Sequence, residues 1–99
     1  MGPPPDRIAE APVVSYAVID RECRATANCR HWQGDQLLGP AAGLLICRSG
    51  DAFFLYACNE RWEPETDTWH ETVEDAKEQA EFEYQGIRLK WQNTPAARS

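Results

Sequence analysis

Any chemistry in this chain would have to come from a few scattered side chains. His70 stands beside Glu71 and three residues after Asp67, where a strand gives way to a helix. A histidine near a carboxylate can serve as a general acid or base, because its ordinary pKa lies close to neutrality. The same neighbours suit a quieter role, in which His70 bonds a carboxylate or a backbone group and fixes the helix start. Cys29-Arg30-His31 would put Cys29 and His31 on one face of a strand, a half-site that Cys23 or His70 would have to complete. Zinc sites usually pair close ligands, as in Cys-x-x-Cys. Five residues separate Cys23 from Cys29, and two histidines with four cysteines are close to what chance supplies. There is no nucleophile motif, no glycine-rich phosphate loop and no cofactor fingerprint. We therefore assign no catalytic residue and no cofactor, and only Cys29 and His31 stand as weak metal candidates.

Charge is more informative. The net charge is −6, and between Glu60 and Glu83 ten acids face only Arg61 and Lys77. Such a segment repels phosphate, so the helix it contains is a poor nucleic-acid surface. The first half is modestly basic, with Arg21, Arg24, Arg30 and Arg48 near His31 and Trp32, and one sheet face there could stack bases. The acidic total and a pI near 4.8 weigh against nucleic acid as a partner. No apolar stretch nears the roughly 20 residues needed to span a bilayer. The Met-Gly-Pro-Pro-Pro start lacks the basic and apolar regions of a signal peptide, so a cytoplasmic chain is expected, with its thiols reduced. Cys47 and Cys58 sit in apolar runs and are expected to be buried.

The elements follow from periodicity. Thr72 is a suitable N-cap, with Glu71, Glu74 and Asp75 at the positive end of the helix dipole and Asp75 at the acidic position of a capping box. At ~100° per residue, Val73, Ala76, Ala80, Tyr84 and Ile87 share one stripe. Gly86 is expected to close the helix in a left-handed conformation. Ala76 and Ala80 are small, so that stripe can approach a sheet closely. Phe82 falls about opposite, among Asp75, Glu78 and Gln85. Two placements stand open for it: packed on Ile87 beyond the glycine, or exposed on an acidic face.

Upstream, Val13 to Ile19, Leu44 to Arg48 and Ala52 to Asn59 read as strands, the last two joined by a Ser49-Gly50-Asp51 hairpin link. Phe53, Leu55 and Ala57 alternate with Phe54, Tyr56 and Cys58, so both faces of that strand are apolar and it belongs inside the sheet. Asn28 to Gln33 and Asp67 to His70 are shorter strand candidates, and Ile87, Leu89 and Trp91 alternate as an extended arm. The fold class expected is α+β: an antiparallel β-sheet of about four or five strands with one C-terminal α-helix packed on one face. Ninety-nine residues suffice for one domain, placed at residues 12–92 between disordered tails at 1–11 and 93–99.

Asp67-Thr68-Trp69-His70 followed by Ala76-Lys77, Gln79-Ala80-Glu81-Phe82-Glu83-Tyr84 and a later Trp91 resembles a group of small uncharacterised bacterial proteins. These share a D-T-W-H segment, a helix reading A-K-x-Q-A-E-F-E-Y, and a tryptophan shortly after. The resemblance covers under half the chain. It implies the strand–helix order and no chemistry.

The functional expectation is a non-catalytic protein-interaction module. Phe82, Trp62, Glu78 and Asp75 are its candidate surface, since aromatics in acidic surroundings suit a partner bearing Arg or Lys. Trp62, in a charged loop, is expected to be partly exposed, and Trp32, Trp69 and Trp91 to be packed. Self-association through a sheet edge or through Ile87 to Trp91 is equally allowed. The alternatives are a metal-binding protein using Cys29 and His31, or a small enzyme with His70 as acid or base.

Overall fold

The computed structural model describes residues 2–26, 32–33, 36–37 and 41–98. Its elements run β1 (Arg7–Ile8), β2 (Ala11–Val18), β3 (Arg24–Ala25), β4 (Trp32–Gln33), β5 (Gln36–Leu37), β6 (Gly43–Ser49), β7 (Ala52–Cys58), β8 (Pro64–His70), α1 (Val73–Glu83), β9 (Tyr84–Gln85) and β10 (Gln92–Asn93). The main sheet is antiparallel, in the order β1-β2-β6-β7-β8, with β10 also paired to β2. One α-helix packs against it, so the expected α+β class is what the chain forms.

β6 and β7 are apolar on both faces because they lie inside the sheet. On one face Leu44, Ile46, Leu55 and Ala57 meet Ala76, Ala80, Tyr84 and Ile87. Ala76 and Ala80 are each 0% exposed, and their lack of bulk is what lets the helix lie close to the strands. On the other face Val13, Leu45, Cys47 and Cys58 pack with Trp62. A bulge between Val13 and Ser15 turns β2 so that Val13 faces this second cluster and Val14 the first.

Several local expectations give way. The helix stops at Glu83, three residues before Gly86, because Tyr84–Gln85 leaves it to pair with Arg24–Ala25. Gly86 does adopt the left-handed conformation, φ 96, but at a corner where a Cβ would meet the Glu22 carbonyl oxygen at 3.1 Å. The extended arm is instead a 3-10 turn at Ile87–Leu89, held by the Glu81 carboxylate, which accepts from the Gly86 and Arg88 N–H groups. Alternation over three residues does not separate a strand from a tight turn, and the buried Ile87 is served by either.

The segments expected to be tails contribute to the sheet. Arg7–Ile8 pairs with Ala11–Pro12, and Gln92–Asn93 pairs with Ser15–Tyr16. Thr94 donates its N–H to the Val14 carbonyl and its hydroxyl to the Val13 carbonyl, satisfying acceptors that the bulge leaves open. The pair β4–β5 forms a short hairpin of its own. Asn28–His31 and the Gly34-Asp35 and Gly39-Pro40 turn signals lie outside the described residues.

Candidate functional site

β8 carries its residues alternately on the two faces of the sheet. Thr68 and His70 point to the helix side, and Asp67 and Trp69 to the other. His70, the last residue of β8, is buried beneath the first turn of α1. Its Nδ1 lies 2.7 Å from Asp75 Oδ2, and its Nε2 lies 2.7 Å from Thr68 Oγ1. Asp75 also donates its backbone N–H to the Thr72 hydroxyl, at 3.0 Å. Thr72 therefore caps as expected, whereas the Asp75 carboxylate turns to His70 rather than back to the cap. Among the acids near His70 in sequence, the fold selects Asp75 over Asp67, Glu71 and Glu74.

The order hydroxyl–imidazole–carboxylate is that of a nucleophile, its base and the base's orienting acid. Thr68, where the nucleophile of such an arrangement would stand, has little space beside it. Thr68 lines a void of about 10 Å³ with Leu44, Leu55 and Ala80, room for about one water molecule. The chain of bonds also has a mechanical effect. It ties the edge strand to the helix N-terminus through a partly desolvated pair of hydrogen bonds, each contributing about 0.5–1.5 kcal/mol or somewhat more to a charged acceptor.

Beside it runs an open groove of about 310 Å³ along α1, lined by His70, Asp75, Glu78, Gln79 and Phe82. Asp75, Glu78 and Phe82 recur at three- and four-residue spacing with Gln79 beside them, so they form one continuous strip. Phe82 is 51% exposed, and the Asp75 side chain 57%. Of the two placements open for Phe82, the exposed one holds. Its backbone carbonyl accepts from the Thr26 hydroxyl at 2.7 Å, which pins the end of the strip. Not every acid of this segment faces outward. Glu83 is buried and bonded to Gln79, and Glu81 is spent on the Gly86 corner.

Two aromatic expectations reverse. Trp62 is 5% exposed, stacks edge-on against Tyr16, and donates its indole N–H to the Gly2 carbonyl at 2.8 Å. It sits at φ 62, unusual for a bulky residue, and fills the space that Gly43 leaves by having no side chain: a Cβ there would lie 2.5 Å from its ring. Its charged neighbours Arg61 and Glu63 are exposed, and they hid this burial in the sequence. Trp62 is therefore a core residue and leaves the candidate surface. Trp69, expected to pack, is 56% exposed on the opposite face of β8.

Cys47 and Cys58 are buried, and burial pushes their thiols up to about 11 and about 12. A hydrogen bond from the Ile8 backbone partly offsets the shift at Cys47. Such thiols are poor nucleophiles and poor metal ligands near neutral pH. Cys29 and His31 lie outside the described residues. Among the described residues no group of three or more His, Cys, Asp or Glu side chains is placed to hold a metal ion. No helix among them is long and apolar enough to cross a membrane.

No family model matches the chain, and no curated protein or solved structure matches it either.

Proposed function

We propose that this protein is a non-catalytic interaction module whose acidic groove along α1 receives a cationic segment of a partner protein. The observation that carries the reading is the half-exposed Phe82 set among Asp75, Glu78 and Gln79 on one helical strip. An apolar ring rimmed by carboxylates suits a partner that offers both an aliphatic stem and a positive head, which Lys and Arg side chains combine. The local excess of acids adds long-range attraction for such a partner and repulsion of phosphate. The His70–Asp75 bond holds the helix start rigid, so the strip is presented ready-made and little ordering cost falls on binding.

The test is affinity capture from the native host with quantitative mass spectrometry, comparing wild type with Phe82→Ala and Glu78→Lys. Both positions are exposed, so the fold survives either change. A partner enriched by wild type and lost by both variants supports the groove. Equal recovery by all three proteins removes it.

A further inference from the structure

We infer that the outer edge of β8 is a docking edge, which takes an extended, lysine- or arginine-bearing segment of a partner as an added strand. The inference rests on the cationic-partner reading above and names where and how that partner binds.

The sheet's register shows what is missing. Val13 pairs with Cys47, Cys47 with Phe54, and Phe54 with Trp69, so these four form one row across one face. Val13 and Cys47 are buried, Phe54 is half-buried, and Trp69 is more than half exposed. Exposure climbs towards β8 because, among the described residues, β7 is the only strand paired with it. The next place in that row would be a side chain on an added strand, lying against the Trp69 ring. The neighbouring row runs Tyr16, Leu45, Tyr56 and Asp67, and ends on a carboxylate. Glu65, at the register shift two residues before Asp67, presents a second exposed carboxylate.

The edge therefore specifies its occupant by charge. A strand alternating two basic residues with one apolar residue would set cations beside Glu65 and Asp67 and an aliphatic or guanidinium group on Trp69. Acids along an edge strand ordinarily guard against indiscriminate pairing. Here they exclude neutral and acidic strands while favouring basic ones, so the guard acts as a selector. A second copy of this chain fits poorly. In the full antiparallel register of β8 with itself, Asp67 would oppose its own copy, and like charges directly opposite are destabilising. The backbone groups of the edge supply affinity, and the row of side chains supplies choice, as in other strand-addition complexes. His70 both ends β8 and lines the α1 groove, so an added strand can reach that groove with its helix-side residues.

The probe is a synthetic peptide matched to the seven residues of β8, Thr-Leu-Thr-Lys-Thr-Lys-Thr, titrated at low salt while backbone amide exchange is followed by NMR. Slowed exchange is expected at β8 amides that point away from β7. Asp67→Lys is expected to weaken binding about tenfold. A glutamate-for-lysine peptide, and a peptide N-methylated at alternate backbone positions, should both fail to bind. Protection confined to α1 overturns strand addition while leaving the acidic groove intact. Equal binding by the N-methylated peptide overturns it as well, and so does β8 protection that grows with protein concentration without peptide, which would identify a second copy. No binding at all also overturns it, and the host-capture comparison with Phe82→Ala and Glu78→Lys then judges the groove separately.

Discussion

Along the outer side of β2, both terminal segments of the chain supply partners: Arg7–Ile8 at one end and Gln92–Asn93 further on, with Thr94 closing the bulge between. Along the outer side of β8, no strand among the described residues does the same. The two edges also differ in what faces solvent. The β2 side buries Val13 under Ile8 and Trp62, whereas the β8 side ends on Glu65, Asp67 and an exposed Trp69. Among the described residues, one edge is closed by covalently attached chain, and the other ends on carboxylates and an exposed tryptophan. Closure by attached chain costs no binding entropy, so it is the natural solution where a permanent seal is needed. The second edge is the one we propose to accept a chosen strand.

The largest test of this contrast is Trp62→Ala. Trp62 holds the Gly2 carbonyl and fills the space over Gly43, so its loss should cost about 3–5 kcal/mol in urea unfolding, the usual range for a buried large aromatic. It should also free the β1 segment, seen as faster exchange of the Ile8 amide. At the open edge, Asp75→Ala removes the carboxylate from His70 and should cost about 1–3 kcal/mol in the same measurement. A larger loss from Asp75→Ala than from Trp62→Ala would mean that the β8 side, not the β2 side, is the structural seal.

Smallest, and most specific, is the response of the thiols. Folding raises both the Cys47 and Cys58 pKa values, so the neutral forms favour the folded state. That contribution is whole below the unfolded thiol value of 9.0, and is lost as pH rises through about 11 and about 12. Unfolding free energy should therefore fall over this alkaline window, and Cys47→Ala with Cys58→Ala should flatten the fall. At pH 8, a thiol reagent mapped by mass spectrometry should label Cys23 well before Cys47 or Cys58. In Trp62→Ala, Cys47 should become reactive first, because the Ile8 segment lies against it.

The alternation of β6 and β7 and the stripe of Ala76, Ala80 and Tyr84 were enough to read the architecture, because burial on two faces or one leaves a direct mark on sequence. The exposure of Phe82 was one of two readings for a related reason: a helical wheel sets it opposite the alanines, but cannot say whether chain beyond the glycine folds over it. Trp62 and Trp69 exchange the places that local composition assigns them. Local composition makes a tryptophan between Arg61 and Glu63 look like surface, and its burial depends on Gly43, nineteen residues away, having no side chain. Trp69 looks like core until the strand order puts β8 at the rim. The choice of Asp75 as the His70 partner was likewise a matter of where strand and helix meet. A strand-ending histidine followed five residues later by an acid in the first helical turn is the signal that would have found it.

One consequence follows from the way β2 holds both Arg7 and Asn93. Their partners, Pro12 and Ser15, are three positions apart on one strand, so the two segments pass within roughly 10 Å of each other along it. The first and last strands of the sheet thus lie close together on one edge. A linker running from beyond Thr94 to before Gly2, with the chain reopened at the exposed Gly50–Asp51 tip, should keep these strand pairs while changing which of them leaves the ribosome first.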